Sequence, residues 1–451
     1  AEFSTITYPR FNVSFIPTAM TGGSIGPMST LRLRMAWGQA GQQPGAFDQY
    51  TTFLPWASEF GPGLSPGNVG DPSLKPEVST EIEFGGEVGL LNDKLAIDFQ
   101  TWSRVVEDAL IQRAYPPSGG FYRTQLSNIG QIDASGWEAG VDATVIRSST
   151  MSVDLFASIS YLSEKVVSLG GAPEQKVGGS YPRYRNFLTE GWSPGSFFGA
   201  KLDRSKKYPI DTNGDGKADD DATLLAFFTS GGAGVRAGWN PVMMTPTQAD
   251  VDAGLAKDTG ALGWYLGKPT PDYSASFGTA VKVGKNWRVN VMFESRFGEY
   301  SVTNLTDAFR KSHGLIGRNV PEAAATEADL MDPAKAGQVR LDAANRWVRE
   351  FLALSPYSGL NTIEDASFTR LRELSFAYVV DPEVAARFGA RSLTFAVSGK
   401  NLWINTPYSG IDPELNAIAR SNGGINDFQQ SIDAFGVPIP SSWTLSLKVG
   451  M

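Results

Sequence analysis

The residues that come nearest to chemistry in this sequence are Asp211, Asn213, Asp215 and Gly216, in the run Asp211-Thr212-Asn213-Gly214-Asp215-Gly216. They fall at positions 1, 3, 5 and 6 of a calcium loop of EF-hand type. In such a loop, oxygen ligands at alternate positions converge on one hard cation and Gly permits the sharp turn. Position 12, where a bidentate Glu is normal, is Ala222, with Asp219, Asp220 and Asp221 close by. Two readings stay open: a Ca2+ site built from Asp211, Asn213, Asp215, Asp219 and Asp221, or a solvated acidic turn. No other cofactor is expected.

The remaining catalytic patterns are weak. Gly-Xaa-Ser-Xaa-Gly occurs at 22–26, 63–67 and 191–195, which a chain with 49 Gly produces by chance. None of the three sits between a strand and a helix, as a nucleophile elbow requires. The one His, His313, falls in a long connection and cannot build a multi-His metal centre. With no Cys, disulfides and thiolate metal sites are ruled out. Net charge is −8 and Lys and Arg are not clustered, which argues against a nucleic-acid partner. The carboxylates mostly alternate with apolar residues along strands. We therefore do not expect an enzyme.

The elements that would carry these residues are strands. In Glu81–Leu90 the apolar Ile82, Phe84, Val88 and Leu90 share one parity and Glu81, Glu83 and Glu87 the other. Leu91-Asn92-Asp93-Lys94 then makes a tight corner, and Leu95, Ile97 and Phe99 alternate with Ala96, Asp98 and Gln100. Period-2 alternation makes one sheet face apolar and the other polar. Each arm matches the 9–11 residues that a tilted strand needs to cross a bilayer. A soluble sandwich would use the same pattern with its apolar face turned inward. The pattern recurs at 10–16, 31–38, 137–145, 151–161, 273–283, 287–297, 374–378, 393–402 and 443–451, giving about eleven strands.

The connections separate the two folds. Short ones fall near 17–30, 91–94, 147–150, 284–286 and 381–390. Long ones fall near 39–79, 112–135, 163–271, 298–366 and 405–442, and the 321–354 part of the fourth reads as helical. In an up-and-down meander this strict alternation trims one end and loads the other, as in outer-membrane barrels with short periplasmic turns and long extracellular loops. The expected fold is thus all-β, an antiparallel transmembrane β-barrel with long extracellular loops and a periplasmic C-terminus. The alternation puts Phe84, Phe99, Val141, Leu155, Val291, Phe376 and Leu447 towards lipid. Trp37, Trp102, Trp137, Trp287 and Trp443 read as interfacial girdle residues. Most of the loop aromatics (Trp56, Tyr181, Tyr184, Trp192, Phe197, Phe198, Trp239, Trp264, Trp347, Tyr357) read as anchors that pack loops together, rather than as platforms for sugar rings.

Several motifs then occur in one order along the chain. They are Leu74-Lys75-Pro76-Glu77, Asn128-Ile129-Gly130, Gly136-Trp137-Glu138, Gly195-Ser196-Phe197-Phe198-Gly199 and the acidic run at 211–216. Phe368-Thr369-Arg370-Leu371-Arg372, Ser398-Gly399-Lys400-Asn401-Leu402 and Tyr408-Ser409-Gly410-Ile411-Asp412-Pro413 complete the series. Together they resemble the SusC/RagA-like TonB-dependent transporters of the Gram-negative outer membrane. The resemblance implies a 22-stranded barrel with an N-terminal plug, energised through TonB and lidded by a SusD-like lipoprotein. It also implies import of oligosaccharides, glycans or peptides. About eleven of those strands are visible here, and nothing resembles the plug. Residues 1–451 are therefore expected to be the C-terminal part of such a barrel, with long extracellular loops at 163–271 and 298–366. An upstream barrel half and plug, the SusD-like lipoprotein, TonB and membrane lipid would be its partners. The alternative is a surface protein that does not transport, an adhesin or a scaffold within an outer-membrane complex.

Overall fold

The computed structural model describes residues 6–451 apart from 60, 115–117, 119–123, 178–183, 203–242, most of 313–361 and 417–429. Eleven strands form one antiparallel sheet in chain order. They are β1 (Arg10–Phe15), β2 (Met28–Ala40), β3 (Val78–Leu90), β4 (Leu95–Ala114), β5 (Thr124–Arg147) and β6 (Met151–Ser168). Then follow β7 (Tyr273–Val283), β8 (Trp287–Phe297), β9 (Phe368–Val379), β10 (Ser392–Asn405) and β11 (Ser442–Gly450). Neighbours in sequence are neighbours in the sheet throughout, which is the meander that the connection lengths predict.

Register turns the local alternation into two continuous surfaces. Leu31, Val88, Ile97, Val141, Ala157, Phe277, Phe293, Leu371 and Trp403 stand side by side across β2 to β10. The row one residue away reads Arg32, Glu87, Asp98, Gly140, Ser158, Ser276, Glu294, Arg370 and Ile404. A slip of one residue in any strand would exchange the two rows, so the register is strongly specified. Phe84, Phe99, Val141, Leu155, Phe376 and Leu447 all lie on the apolar face and are 38–60% exposed. Val291 shares that face, half-buried between Thr279 and Leu374. On the polar face Arg32 pairs with Glu87 at 3.4 Å and Arg34 with Asp98 at 2.6 Å.

Two expectations need correction. The stretch 112–135 is mainly strand: β4 and β5 run for 20 and 24 residues, about twice what a tilted crossing requires. They stand well proud of their neighbours, and only 115–123 separates them. Gly, Asn and Ser in Ser127–Gly136 resemble loop composition, but pairing with β4 and, from Gln131 onward, with β6 as well overrides local propensity. Trp102 is not a girdle residue. It pairs with Glu83 and Gly136, which puts it on the polar face, and a Cβ on Gly136 would fall 2.8 Å from its ring.

The short corner at Leu91, Asn92 and Asp93 uses three successive left-handed residues, with φ of 56°, 58° and 59°. Asp93 Oδ1 accepts from Ser29 Oγ at 2.6 Å, tying this corner to the adjacent one. The conventional core sits at the other end. One cluster joins Ala109, Ile111, Val166, Leu169, Ala172, Val177 and Leu188, and a second joins Tyr300, Val302, Ala366, Phe368 and Tyr408. Apolar residues of the mid-sheet stay exposed while those at the long-loop end are buried. That inversion fits a sheet whose middle has hydrocarbon as its solvent.

Small elements organise the long connections. Thr52–Ser58 and Gly61–Asn68 pair as a hairpin inside the first one. Gln175–Lys176, Asn186–Leu188, Ser196–Gly199 and Trp264–Gly267 form a four-stranded sheet within the connection from β6 to β7. Ser301–Asn304 pairs with Ile363–Asp365 and, in parallel, with Ile432–Asp433, which knits two further connections together. Of the helix expected at 321–354, the described residues Pro321, Ala325 and Ala328 are helical and most of the rest lies outside the described residues; the same connection also carries the helix Leu305–Ser312.

Candidate functional site

The sequence motifs meet at the long-loop end, on the polar side of the sheet. Asn128 Nδ2 donates to the carbonyls of Lys75 (2.7 Å) and Asp108 (2.8 Å), and its Oδ1 accepts from the Lys75 N–H at 2.9 Å. Lys75 Nζ reaches the Asp108 carboxylate at 2.6 Å. Asp108 can serve both because a bulge in β4 holds it at φ 54°, a conformation Asp tolerates better than most residues. The next motif residue but one, Glu77, accepts from the Leu110 N–H at 3.1 Å. Two motifs more than fifty residues apart thus form one clasp across β3, β4 and β5.

A buried ionic network closes the opposite side. Arg370 of β9 donates to Asp412 Oδ1 at 2.6 Å, with the two side chains only 4% and 3% exposed. Its Nε stands 3.0 Å from Glu414 Oε2, angled as an ion pair rather than an aligned hydrogen bond. Arg372 bridges Glu294 (2.6 Å) and Glu414 (2.5 Å). Asp412 also accepts from the backbone of Glu414 and Ile439, so the carboxylate holds a loop as well as a guanidinium. The Phe368 ring lies 5.7 Å below Arg370 and 5.8 Å below both Arg296 and Arg372. Beside this network Tyr408 donates to Asp433 Oδ2 at 2.7 Å, and burial together with that carboxylate pushes its phenol far above the usual range.

The expected loop anchors pack on one another. Trp192 lies 4.4 Å from Tyr265 and meets Phe198 edge-on at 5.3 Å, while Phe187 meets Phe198 at 6.1 Å. Phe197 and Phe198 are fully buried, and Trp264 nearly so. Cations cover the outer rings: Arg185 sits 5.0 Å over Phe187, and Lys257 sits 5.2 Å over the same ring and is ion-paired to Glu174. Burial pulls Lys176 down to about 8, with a smaller push from the Arg185 guanidinium. Trp56 instead stays exposed on the hairpin. Tyr181, Trp239, Trp347 and Tyr357 lie outside the described residues.

Beside the clasp the polar face of β3 to β6 holds a cavity of about 340 Å3. Glu77, Arg104 and Glu164 contribute its charges, Val106, Ile111 and Ile132 its floor, and Pro194, Thr270 and Gln430 reach over it from the loops. Sequence reading missed it. Only the parity of Arg104 and Glu164 pointed inward, and no local signal brings loops from 194, 270 and 430 to one place.

The Ca2+ ligands expected at Asp211, Asn213, Asp215, Asp219 and Asp221 lie outside the described residues. Among the described residues, no three His, Cys, Asp or Glu side chains converge as a metal site. Of the Gly-Xaa-Ser-Xaa-Gly serines, Ser65 lies in a loop strand, and Ser193 offers its carbonyl to Ser196. His313 lies outside the described residues.

A meandering sheet with one apolar and one ion-paired face, short corners at one end and packed loops at the other, is the wall of a transmembrane β-barrel. More narrowly, the chain belongs to the TonB dependent receptor-like β-barrel family, whose model matches residues 2–253. It is similar to TonB-dependent receptor P3 of Formosa agariphila, 25% identical over 385 residues, covering 84% of this chain and 34% of that protein. TonB-dependent receptor P26 of the same organism is 23% identical over 434 residues, covering 93% of this chain and 40% of that one. Among solved structures, the RagAB peptide transporter shares the fold with a TM-score of 0.68 at 18% identity, over 98% of this chain and 43% of its own. The chain therefore spans 34–40% of the length of these curated relatives.

Proposed function

We propose that this chain is part of an outer-membrane importer that takes up peptides or oligosaccharides, driven through TonB and working with a surface lipoprotein of SusD type. One observation carries the reading. The polar face keeps a charged cavity beneath packed loops, where an adhesin or scaffold has no use for one. Family membership and the likeness to RagAB, a peptide transporter, support it. The seven apolar-face residues from Phe84 to Leu447 then meet lipid, and the clasped loops form the outer mouth. An upstream barrel half and plug complete the unit, and Ca2+ at Asp211, Asn213, Asp215, Asp219 and Asp221 braces a loop.

The test uses the whole gene in its own outer membrane. Uptake of a labelled peptide or oligosaccharide mixture should collapse when TonB is deleted or the proton gradient is discharged. Uptake that persists unchanged, or a surface protein that binds cells and imports nothing, would give the place to the adhesin or scaffold reading.

A further inference from the structure

The geometry points to a ligand for the cavity on β3 to β6, and this inference rests on the import reading: we propose that it receives the free amino terminus of a peptide, followed by an aliphatic side chain. Two carboxylates, Glu77 and Glu164, share this space with one guanidinium, Arg104. An excess of carboxylate selects a cation, and the three N–H donors of an ammonium can serve both carboxylates and the Ser79 hydroxyl on the same wall. Among the described residues each carboxylate carries one light protein contact: Glu77 accepts from the Leu110 N–H at 3.1 Å and Glu164 from Thr270 Oγ1 at 3.4 Å.

Arg104 is lightly held as well. Its Nη1 lies 3.7 Å from Glu81 and its guanidinium 5.4 Å over the Trp102 ring, which leaves donors for a peptide carbonyl next to the ammonium. The floor of Val106, Ile111 and Ile132 is aliphatic and suits a branched or straight apolar side chain. No aromatic ring lines the cavity among the described residues. A sugar would need such a platform, and the ring beside Arg104, that of Trp102, is already covered by Arg104 and packed on Gly136. At about 340 Å3 the space stands at the small end of ligand pockets. It therefore recognises one end of a longer ligand and leaves the rest in the mouth.

The experiment uses the full-length protein with its natural partner, purified from the outer membrane into detergent. Titration calorimetry compares leucyl-glycyl-glycine with its N-acetylated form, and maltohexaose serves as a neutral competitor. Acetylation, which removes the ammonium, should weaken binding by about tenfold or more. The paired substitution Glu77→Gln and Glu164→Gln should bring the free peptide down to the level of the acetylated one and leave the latter unchanged. Equal binding of the two peptides by the unaltered protein overturns the proposal whatever the variant does. So does absence of binding at millimolar peptide, displacement by maltohexaose, or a tenfold preference that survives in the variant. The import reading fails separately: discrimination between the two peptides without TonB-dependent uptake would keep the site and remove the transport.

Discussion

Arg370 and Asp412 meet at 2.6 Å with both side chains out of water, one on a sheet strand and the other in the connection between β10 and β11. A buried pair of this kind is costly to break singly, since the survivor is an uncompensated charge. It is less costly to replace whole.

Arg370→Met or Asp412→Leu alone should therefore destabilise the loop end by roughly 3–5 kcal/mol, and the double substitution by clearly less than the sum. Denaturant titration of the full protein in lipid vesicles, arranged as a double-mutant cycle, measures this. Additive single effects would mean that the two residues act independently.

Substitutions on the two sheet faces should differ sharply. Phe99→Arg places a cation on the apolar face, where the cost in a bilayer is roughly 2–4 kcal/mol near the midplane. Gln100→Arg, one residue away, faces the polar side beside Glu138 and should be close to neutral. Equal costs for the two in the same vesicle titration would mean that the apolar face does not meet lipid.

Lys176 gives the loop region a pH signature. Below about 8 it is protonated in folded and unfolded chains alike, and the folded loop bears the cost of a partly buried charge. Between about 8 and the ordinary lysine value of 10.5, the folded loop loses the proton while the unfolded chain keeps it. Stability of the loop should therefore rise with pH across that window. Limited proteolysis between residues 163 and 271 should slow from pH 7.5 to pH 10 and should lose that dependence in Lys176→Met. An unchanged slope in the variant would assign the effect to another group.

The Ca2+ proposal makes a separate prediction. Chelation with EGTA should speed cleavage within 163–271 in the natural chain and have no effect once Asp211→Ala and Asp215→Ala are both present. Identical cleavage with and without chelator would leave those residues as a solvated turn.

Much of the fold was legible because its determinant is local. Alternation along Glu81–Leu90 and Leu95–Gln100 assigns faces without reference to any other strand, since successive side chains must point to opposite sides. The lengths of the connections gave the meander and its two unlike ends in the same way. Strand ends were less legible. Ser127–Gly136 has the composition of a loop, and β5 continues through it because β4 pairs with it and, from Gln131 onward, β6 pairs with it on the other side. Trp102 shows the same limit: its type suits a membrane interface, but its parity, fixed by pairing with Glu83, turns it to the polar face.

The functional end divides along the same line. The sequence alone determined which residues are special, since Lys75, Asn128, Arg370 and Asp412 all stand in motifs that could be read in order. Only the tertiary structure decided what they do. Lys75 finds Asn128, Arg370 finds Asp412, and Glu77, Arg104 and Glu164 share one cavity with Pro194, Thr270 and Gln430. Those partners are separated by tens to hundreds of residues. Nothing in local spacing encodes which distant loop folds over which strand. That choice is made by burial and by the requirement that a buried charge or amide find its complement.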